Sequence, residues 1–301
     1  MLQDLSDLTF RPALLAAGMT DDELRRLRAQ RRITAVRPGA YVPSGDPRLD
    51  DAVATHALAV RAAARTLTVD TVVSHASAAV LHGLTLWAVP LDRVHVTRDR
   101  PSGGRCTALR HLHTARLEAV EVTEVDSIPV TSVARTLADL ALTLPFEPAL
   151  VAADAALHRH RTTGDALADA VARAAGRRGC PPARRVAAAA DPRPESPGET
   201  RSRIAIARAR LPTPTLQHEV PEIGARTDFY WEEFATVGEF DGKVKYGRGL
   251  RPGQTRGDVA WAEKRREDAL RDFGLQAVRW TWDELCPFDA VAERLRRAFT
   301  R

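Results

Sequence analysis

GEFDGKVKY, residues 238–246, decides how the second half of this 301-residue chain is read. Charged side chains stand at every second position: Glu239, Asp241, Lys243 and Lys245. A β-strand sends alternate side chains to opposite faces, so Glu239, Asp241 and Lys243 share one side. ARTDFYWEEFATVGEFDG, residues 225–242, reads as a hairpin with an acidic turn at Glu232-Glu233, which sets Asp228 beside that row. Carboxylates that converge repel one another unless a positive charge sits between them. A hard divalent cation, Mg²⁺ or Mn²⁺, supplies that charge and takes oxygen ligands, here Asp228, Glu239 and Asp241. A nearby lysine, Lys243, holds a phosphate or eases hydroxide formation. Such a set of parts serves phosphodiester hydrolysis. The same alternation also describes the solvated face of an edge strand, so the row alone leaves both readings open.

The elements around the row extend the pattern. SPGETRSRIAIARARL predicts a helix capped near Ser196, and LQHEV a short strand. WAEKRREDALRDFG predicts a charged amphipathic helix stopped by Gly274, LQAVRWTW a strand, and DELCPFDAVAERLRRAF a terminal helix. The order is α, β, β, β, α, β, α. Glu263, Lys264, Arg266 and Glu267 read as a salt-laced solvent face. Trp280 and Trp282 read as core.

Toward the N-terminus the chain changes character. Thr9 is expected to cap a short helix ended by Gly18. Thr20 and Glu23 have the spacing of a capping box, followed by the basic helix DDELRRLRAQRR. ITAVRPGAYVP then reads as a hairpin turning at Pro38-Gly39. Helix, turn, basic helix and hairpin make the layout of a winged helix-turn-helix. Its DNA-facing candidates are Arg25, Arg26, Arg28, Arg31 and Arg32 on the helix and Arg37 on the wing. Residues 50–175 alternate helix and strand signals. VVSHASAAVLHGL reads as a helix capped by Ser74. DRVHVTR and CTALRHLHTA read as strands, and a buried helix starts near Val133 with Thr131 or Ser132 as cap. Its Arg135 and Asp139, four apart, are placed to pair. None of the histidines has metal-ligand spacing along the chain, so hydrogen-bonded, partly buried rings are expected. GRRGCPPARRVAAAADPRPESPG, residues 176–198, has five prolines and reads as a boundary that holds at most a short helix at RRVAAAA.

Composition sets limits. Lys and Arg total 44 against 39 Asp and Glu, a formal net charge of +5, which suits a polyanionic partner without requiring one. Cys106, Cys180 and Cys286 have neither zinc spacing nor the density of a disulfide framework. No basic-then-apolar leader follows Met1, and no apolar run reaches the length of a membrane span. The expectation is a cytoplasmic protein without a membrane partner.

Two resemblances rest on these residues. Glu199 in SPGETRSR, Asp228 in RTDFYW and Glu239 in GEFDGK, with the EKRRED helix and the VRWTW strand in the same order, resemble the small PD-(D/E)XK nuclease-like domains grouped with very-short-patch-repair endonucleases. This resemblance covers roughly a third of the chain. It implies a metal site built by Glu199, Asp228 and Glu239. The family's E-x-K lysine is replaced by Asp241, and Lys243 stands two residues further along the same face. AAGMTDDELRRLRAQRRITAVRPGAYV resembles the winged-helix domain of AbiEi-like antitoxins of type IV toxin–antitoxin systems. VVSHASAAVLHGL, VHVTR and IPVTSVARTLADLAL resemble the domain that follows it. That resemblance implies sequence-specific DNA binding, repression of the protein's own operon, and a cognate toxin as partner.

The expected fold class is therefore mixed α/β and multidomain. A winged helix-turn-helix spans 1–45, an AbiEi-like α/β domain 50–175, a linker 176–197, and a restriction-endonuclease-like (PD-(D/E)XK) α/β domain 198–301. The expected function is DNA binding of the antitoxin or regulator type joined to Mg²⁺-dependent endonuclease activity, with Glu199, Asp228, Glu239, Asp241 and Lys243 as catalytic candidates. The alternative is an inactive repressor or antitoxin whose nuclease fold only binds DNA or protein.

Overall fold

The structure is a computed structural model that describes residues 8–221, 224–242, 265 and 269–300. The chain divides into two compact units, residues 1–152 with 161–188 and residues 153–160 with 189–301. Both combine helices with β-sheet, so the class is mixed α/β. Among the described residues no helix is long and apolar enough to cross a membrane.

The first unit opens with a three-stranded sheet in the order β1-β3-β2: β1 (Thr9–Phe10), β2 (Ile33–Arg37) and β3 (Ala40–Pro43). Helices α1 (Arg11–Ala16) and α2 (Asp21–Ala29) precede the hairpin. Thr9 does not cap α1. It pairs with Tyr41 in the sheet, and Phe10 takes the N-cap position without a side-chain cap. The capping box forms: Glu23 N–H donates to Thr20 Oγ1 at 3.2 Å, and Thr20 N–H to Glu23 Oε2 at 2.7 Å. Leu14, Leu24, Ile33 and Tyr41 make the small core beneath these elements. The hairpin turns where Gly39 takes φ 77°, a left-handed conformation that a Cβ disfavours.

A six-stranded mixed sheet follows, in the order β6-β7-β5-β4-β9-β8. Its strands are β4 (Thr71–Val73), β5 (Val94–Arg98), β6 (Arg105–Cys106), β7 (Arg110–Thr114), β8 (Val122–Val125) and β9 (Ile128–Thr131). Helices α3 (Ala52–Ala64), α4 (His75–Leu81), α5 (Val133–Thr143), α6 (Phe146–His158), α7 (Gly164–Arg173) and α8 (Cys180–Ala189) accompany it, and α6 crosses the division between the units. Val73, Val94, Val96 and Val130 form the core of this sheet, with Val60 of α3 packed in the same cluster. Their β-branched side chains suit a pleated surface buried by helices. The proline-rich stretch after Gly176 thus contains a full helix, α8, with Cys180, Ala183 and Val186 buried.

The second unit is built on a four-stranded sheet in the order β10-β11-β12-β13: β10 (Thr215–Val220), β11 (Ala225–Trp231), β12 (Thr236–Asp241) and β13 (Gln276–Thr281). The first three strands run antiparallel, and β12 and β13 are parallel. Helix α9 (Pro197–Arg208) leads in, capped by Ser196 as expected, and α10 (Asp289–Phe299) closes the unit. Phe229, Trp231, Trp280, Val291 and Leu295 fill the core. Trp280 is fully buried and donates its indole N–H to Ser202 Oγ at 2.7 Å. Trp282 instead leaves the strand in a 3₁₀ turn and stays half-buried, edge-on to Phe240. A Cβ at Gly198 would collide with the Phe240 ring, and one at Gly238 would lie 2.6 Å from Trp280. These two glycines let α9 and the aromatic core approach β12, which carries the acidic row.

Candidate functional site

Three places gather chemically active side chains. The first is the acidic row of the second unit. Phe229 pairs with Gly238 between the antiparallel strands β11 and β12, so one further step puts Asp228 opposite Glu239, on the same face. Asp228 Oδ2 accepts the Phe240 N–H at 2.8 Å. Glu239 is buried and Oε2 accepts from Arg279 Nε at 3.0 Å, Arg279 being its register partner on β13. Glu199, at the start of α9, is also buried. It accepts from Gln217 Nε2 at 2.7 Å, Ser196 Oγ at 2.7 Å and Glu195 N–H at 2.8 Å. Gln217 lies between Leu216 and His218, which pair with Phe229 and Thr227 of β11, and its φ of 53° breaks the extended backbone there. Asp228, Glu239 and Arg279 therefore run across β11, β12 and β13, and Gln217 of β10 holds Glu199 of the helix by its side-chain amide. The positive charge that sequence reasoning assigned to a cation is supplied at Glu239 by Arg279. Asp241 ends β12, opposite Thr281. Lys243, Glu263, Lys264, Arg266 and Glu267 lie outside the described residues.

The second place is the basic surface of α2 and the hairpin. Arg25, Arg26, Arg28, Arg31 and Arg32 are all exposed, the first three on the helix and the last two just beyond it. Arg25, Arg28 and Arg31 line an open groove of about 760 Å³ together with Thr34 and Ser44. Arg25 pairs with Asp22 at 2.5 Å, an exposed pair of little energetic weight. Arg37 differs from the other five. It is half-buried and donates Nη1 to the Leu109 carbonyl at 3.0 Å, so this wing residue is turned onto its own unit.

The third place escaped sequence reasoning. His75, His95 and His113 bring ring nitrogens within 4.8 Å of one another, a spacing open to a metal ion. The ring planes describe something else. His75 stacks on His113 with centroids 3.7 Å apart and planes at 14°, and His113 stacks on His111 at 3.8 Å. His95 Nδ1 lies 3.0 Å from His113 Nε2 with centroids 5.2 Å apart, so these two nitrogens meet head-on in a hydrogen bond. Ligand nitrogens must all point at one centre about 2 Å away, and in this stack they do not until rings turn. Burial holds the imidazoles neutral: it pushes His95 down to about 4 and, with neighbouring His75, drives His113 down to about 2. His56 completes the network. Its Nδ1–H donates to the Leu91 carbonyl and Nε2 accepts from Ser77, whose Oγ accepts the His95 N–H. The usable signal was not spacing along one segment but register, since parallel strands β5 and β7 set His95 beside His111 and Thr97 beside His113. Ser74, expected as a cap for α4, makes no cap bond. Its Oγ instead binds His75 Nδ1 and accepts from Thr97.

The described sheets and helices define a mixed α/β protein with two units. No family model matches the chain. Over 114 residues it is 34% identical to two proteins of Mycobacterium tuberculosis, the uncharacterized protein MT2308 of strain CDC 1551 / Oshkosh and the uncharacterized protein Rv2248 of strain H37Rv. The match takes in 37% of this chain and spans 42% of the length of each relative. The crystal structure of the RV2827C protein from Mycobacterium tuberculosis aligns with a TM-score of 0.39 at 14% identity, covering 71% of this chain and 80% of that one.

Proposed function

We propose that the protein is a DNA-binding regulator of the antitoxin type that uses α2 and the β2–β3 hairpin as a winged helix-turn-helix. The observation that carries this reading is the set of five solvent-facing arginines on and just after one capped helix, beside a hairpin and an open groove. Guanidinium groups at this density meet phosphates and guanine edges, and the fixed helix N-terminus orients them. The test is fluorescence anisotropy with duplex DNA across a salt series, comparing wild type with Arg25→Ala/Arg28→Ala/Arg31→Ala. Wild type is expected to bind with a steep salt dependence. The triple variant is expected to lose affinity and about two to three units of the log–log salt slope. Absence of wild-type binding at low salt, or identical slopes for both proteins, ends the reading.

A second reading concerns the second unit, a PD-(D/E)XK-like domain that hydrolyses phosphodiesters with Mg²⁺ or Mn²⁺. It is favoured by Asp228 and Glu239 sharing one face of the sheet with Glu199 anchored beside them. These residues fit an oxygen-ligated divalent cation only if Arg279 releases Glu239. In that role Asp228 and Glu239 would hold the ion, Asp241 would assist, and Glu199 would orient a water or the ion. Plasmid nicking by wild type and Asp228→Ala, with each metal and with chelator, separates this reading from a non-catalytic fold. Metal-dependent nicking lost in the variant supports hydrolysis; equal inertness leaves the regulator alone.

A further inference from the structure

Arg135 is 3% exposed on its side chain, deep in the first unit, and is held from two sides. Its Nη1 donates to Glu121 Oε2 at 2.6 Å and to the Arg116 carbonyl at 3.2 Å, and its Nε to Asp139 Oδ2 at 3.1 Å. Each carboxylate carries a second arginine: Glu121 accepts from Arg173 Nε at 3.3 Å, and Asp139 from Arg177 Nη1 at 3.2 Å. Two buried acids thus fix three guanidinium groups without exhausting them. Arg135 Nη2 is shielded from solvent and has no hydrogen-bond partner among the described residues. A buried donor left unmade is costly, which marks a position shaped for an acceptor.

Arg100, Arg116, Arg135, Arg173 and Arg177 line a cavity of about 320 Å³, against the carboxylates of Glu118 and Glu121. Five arginines and two glutamates line the concavity, and Asp139 on Arg135 and Arg177 and Asp70 on Arg100 bring the balance to one net positive charge. A carboxylate offers two acceptor oxygens to these guanidinium groups, whereas a phosphate group offers at least three in a geometry that forked donors match. The volume lies at the small end of ligand pockets.

We propose that this cavity binds the phosphate group of a small phosphorylated molecule, with the Arg135 guanidinium as its buried wall and Arg173 and Arg116 closing on the anion from the rim. The site is separate from the basic groove of α2 and stands or falls independently of DNA binding.

Titration calorimetry on the full chain tests it with inorganic phosphate, pyrophosphate, adenosine 5′-monophosphate, adenosine and chloride. The proteins compared are wild type, Arg135→Gln, Arg173→Gln, Arg116→Gln and Arg25→Gln/Arg28→Gln. At least one phosphate-bearing probe is expected to bind saturably at one site, with adenosine and chloride silent. Arg173→Gln, whose side chain is partly exposed and which is expected to fold, should weaken binding about tenfold or more. Arg25→Gln/Arg28→Gln should leave it unchanged. Inorganic phosphate binding as well as the nucleotide identifies the free anion as sufficient, and preference for the nucleotide identifies a phosphorylated ligand. The proposal is overturned if no phosphate-bearing probe binds saturably, if Arg173→Gln binds as wild type, if the α2 variant abolishes the heat, or if adenosine matches its monophosphate. Should Arg135→Gln fail to fold, Arg173→Gln and Arg116→Gln decide the outcome.

Discussion

Arg28 on α2 and Arg135 on α5 carry the same head group in opposite surroundings. Arg28 stands in solvent on a helix whose first turn holds Asp21, Asp22 and Glu23. Arg135 is enclosed by Glu121 and Asp139, themselves buried. An exposed guanidinium keeps its hydration, adds little to stability, and is available to a polyanion. A buried one would be prohibitive unpaired, so the fold surrounds it with carboxylates. The two regions show that arginine content alone predicts neither stability nor binding; the desolvation of each head group decides.

The sharpest way to break this contrast is to remove one carboxylate of the buried set. Asp139→Asn leaves Arg135 and Arg177 without their shared anion and is expected to cost about 3–5 kcal/mol, the range for breaking a buried ion pair. Chemical denaturation measures it, and a loss near zero would mean the network is dispensable. In the second unit, Gly198→Ala is expected to cost about 1–3 kcal/mol because the new methyl meets the Phe240 ring. Gly224→Ala, also in that unit and facing open space, separates crowding from backbone strain, since Gly224 takes φ 60°.

The histidine stack sharpens the comparison with a titration. Its folded-state pKa values lie below the ordinary 6.5, near 4 for His95 and about 2 for His113. Protons therefore bind more readily to the unfolded chain between those values. The contribution is fully present above about pH 6.5 and is lost as pH falls from there through about 4. Asp154, pushed up to about 6 by burial, acts in the opposite sense, its share fading as pH rises from 3.8 to 6. Thermal unfolding from pH 7 to pH 4 should show falling Tm in wild type and a flatter profile in His95→Asn/His113→Gln. The smallest expected effect is Thr20→Ala, which removes the α2 capping box and should lower Tm by no more than a few degrees; under the proposed DNA-binding function it should also weaken DNA binding by fraying α2. A normal affinity in that variant would detach α2 from DNA.

Local chemistry made much of this legible. The Thr20–Glu23 box, the Pro38-Gly39 turn, the Ser196 cap and the Arg135–Asp139 pair each lie within a few residues, where helix and turn geometry fix what can touch. Thr9 misled because its partner, Tyr41, lies in another strand. Glu239 was read as short of positive charge because Arg279 is 40 residues away and reaches it only through the parallel β12–β13 register. The histidine stack has the same cause, needing α4, β5 and β7 to assemble before the rings meet. The α/β alternation was visible in periodicity; contacts made by strand pairing were not.

The strand order β6-β7-β5-β4-β9-β8 also sets a timetable for folding. In the β2–β3 hairpin Arg37 pairs with Ala40, a closure that needs almost no chain entropy. Between the fourth and fifth strands in the order of the larger sheet Val73 pairs with Val130, 57 positions later, so that seam closes a long loop. The N-terminal hairpin is therefore expected to form early and the β4–β9 seam late. Refolding speed would then be governed by that seam, while the arginine-bearing helix could already be in place on a chain whose interior is unfinished.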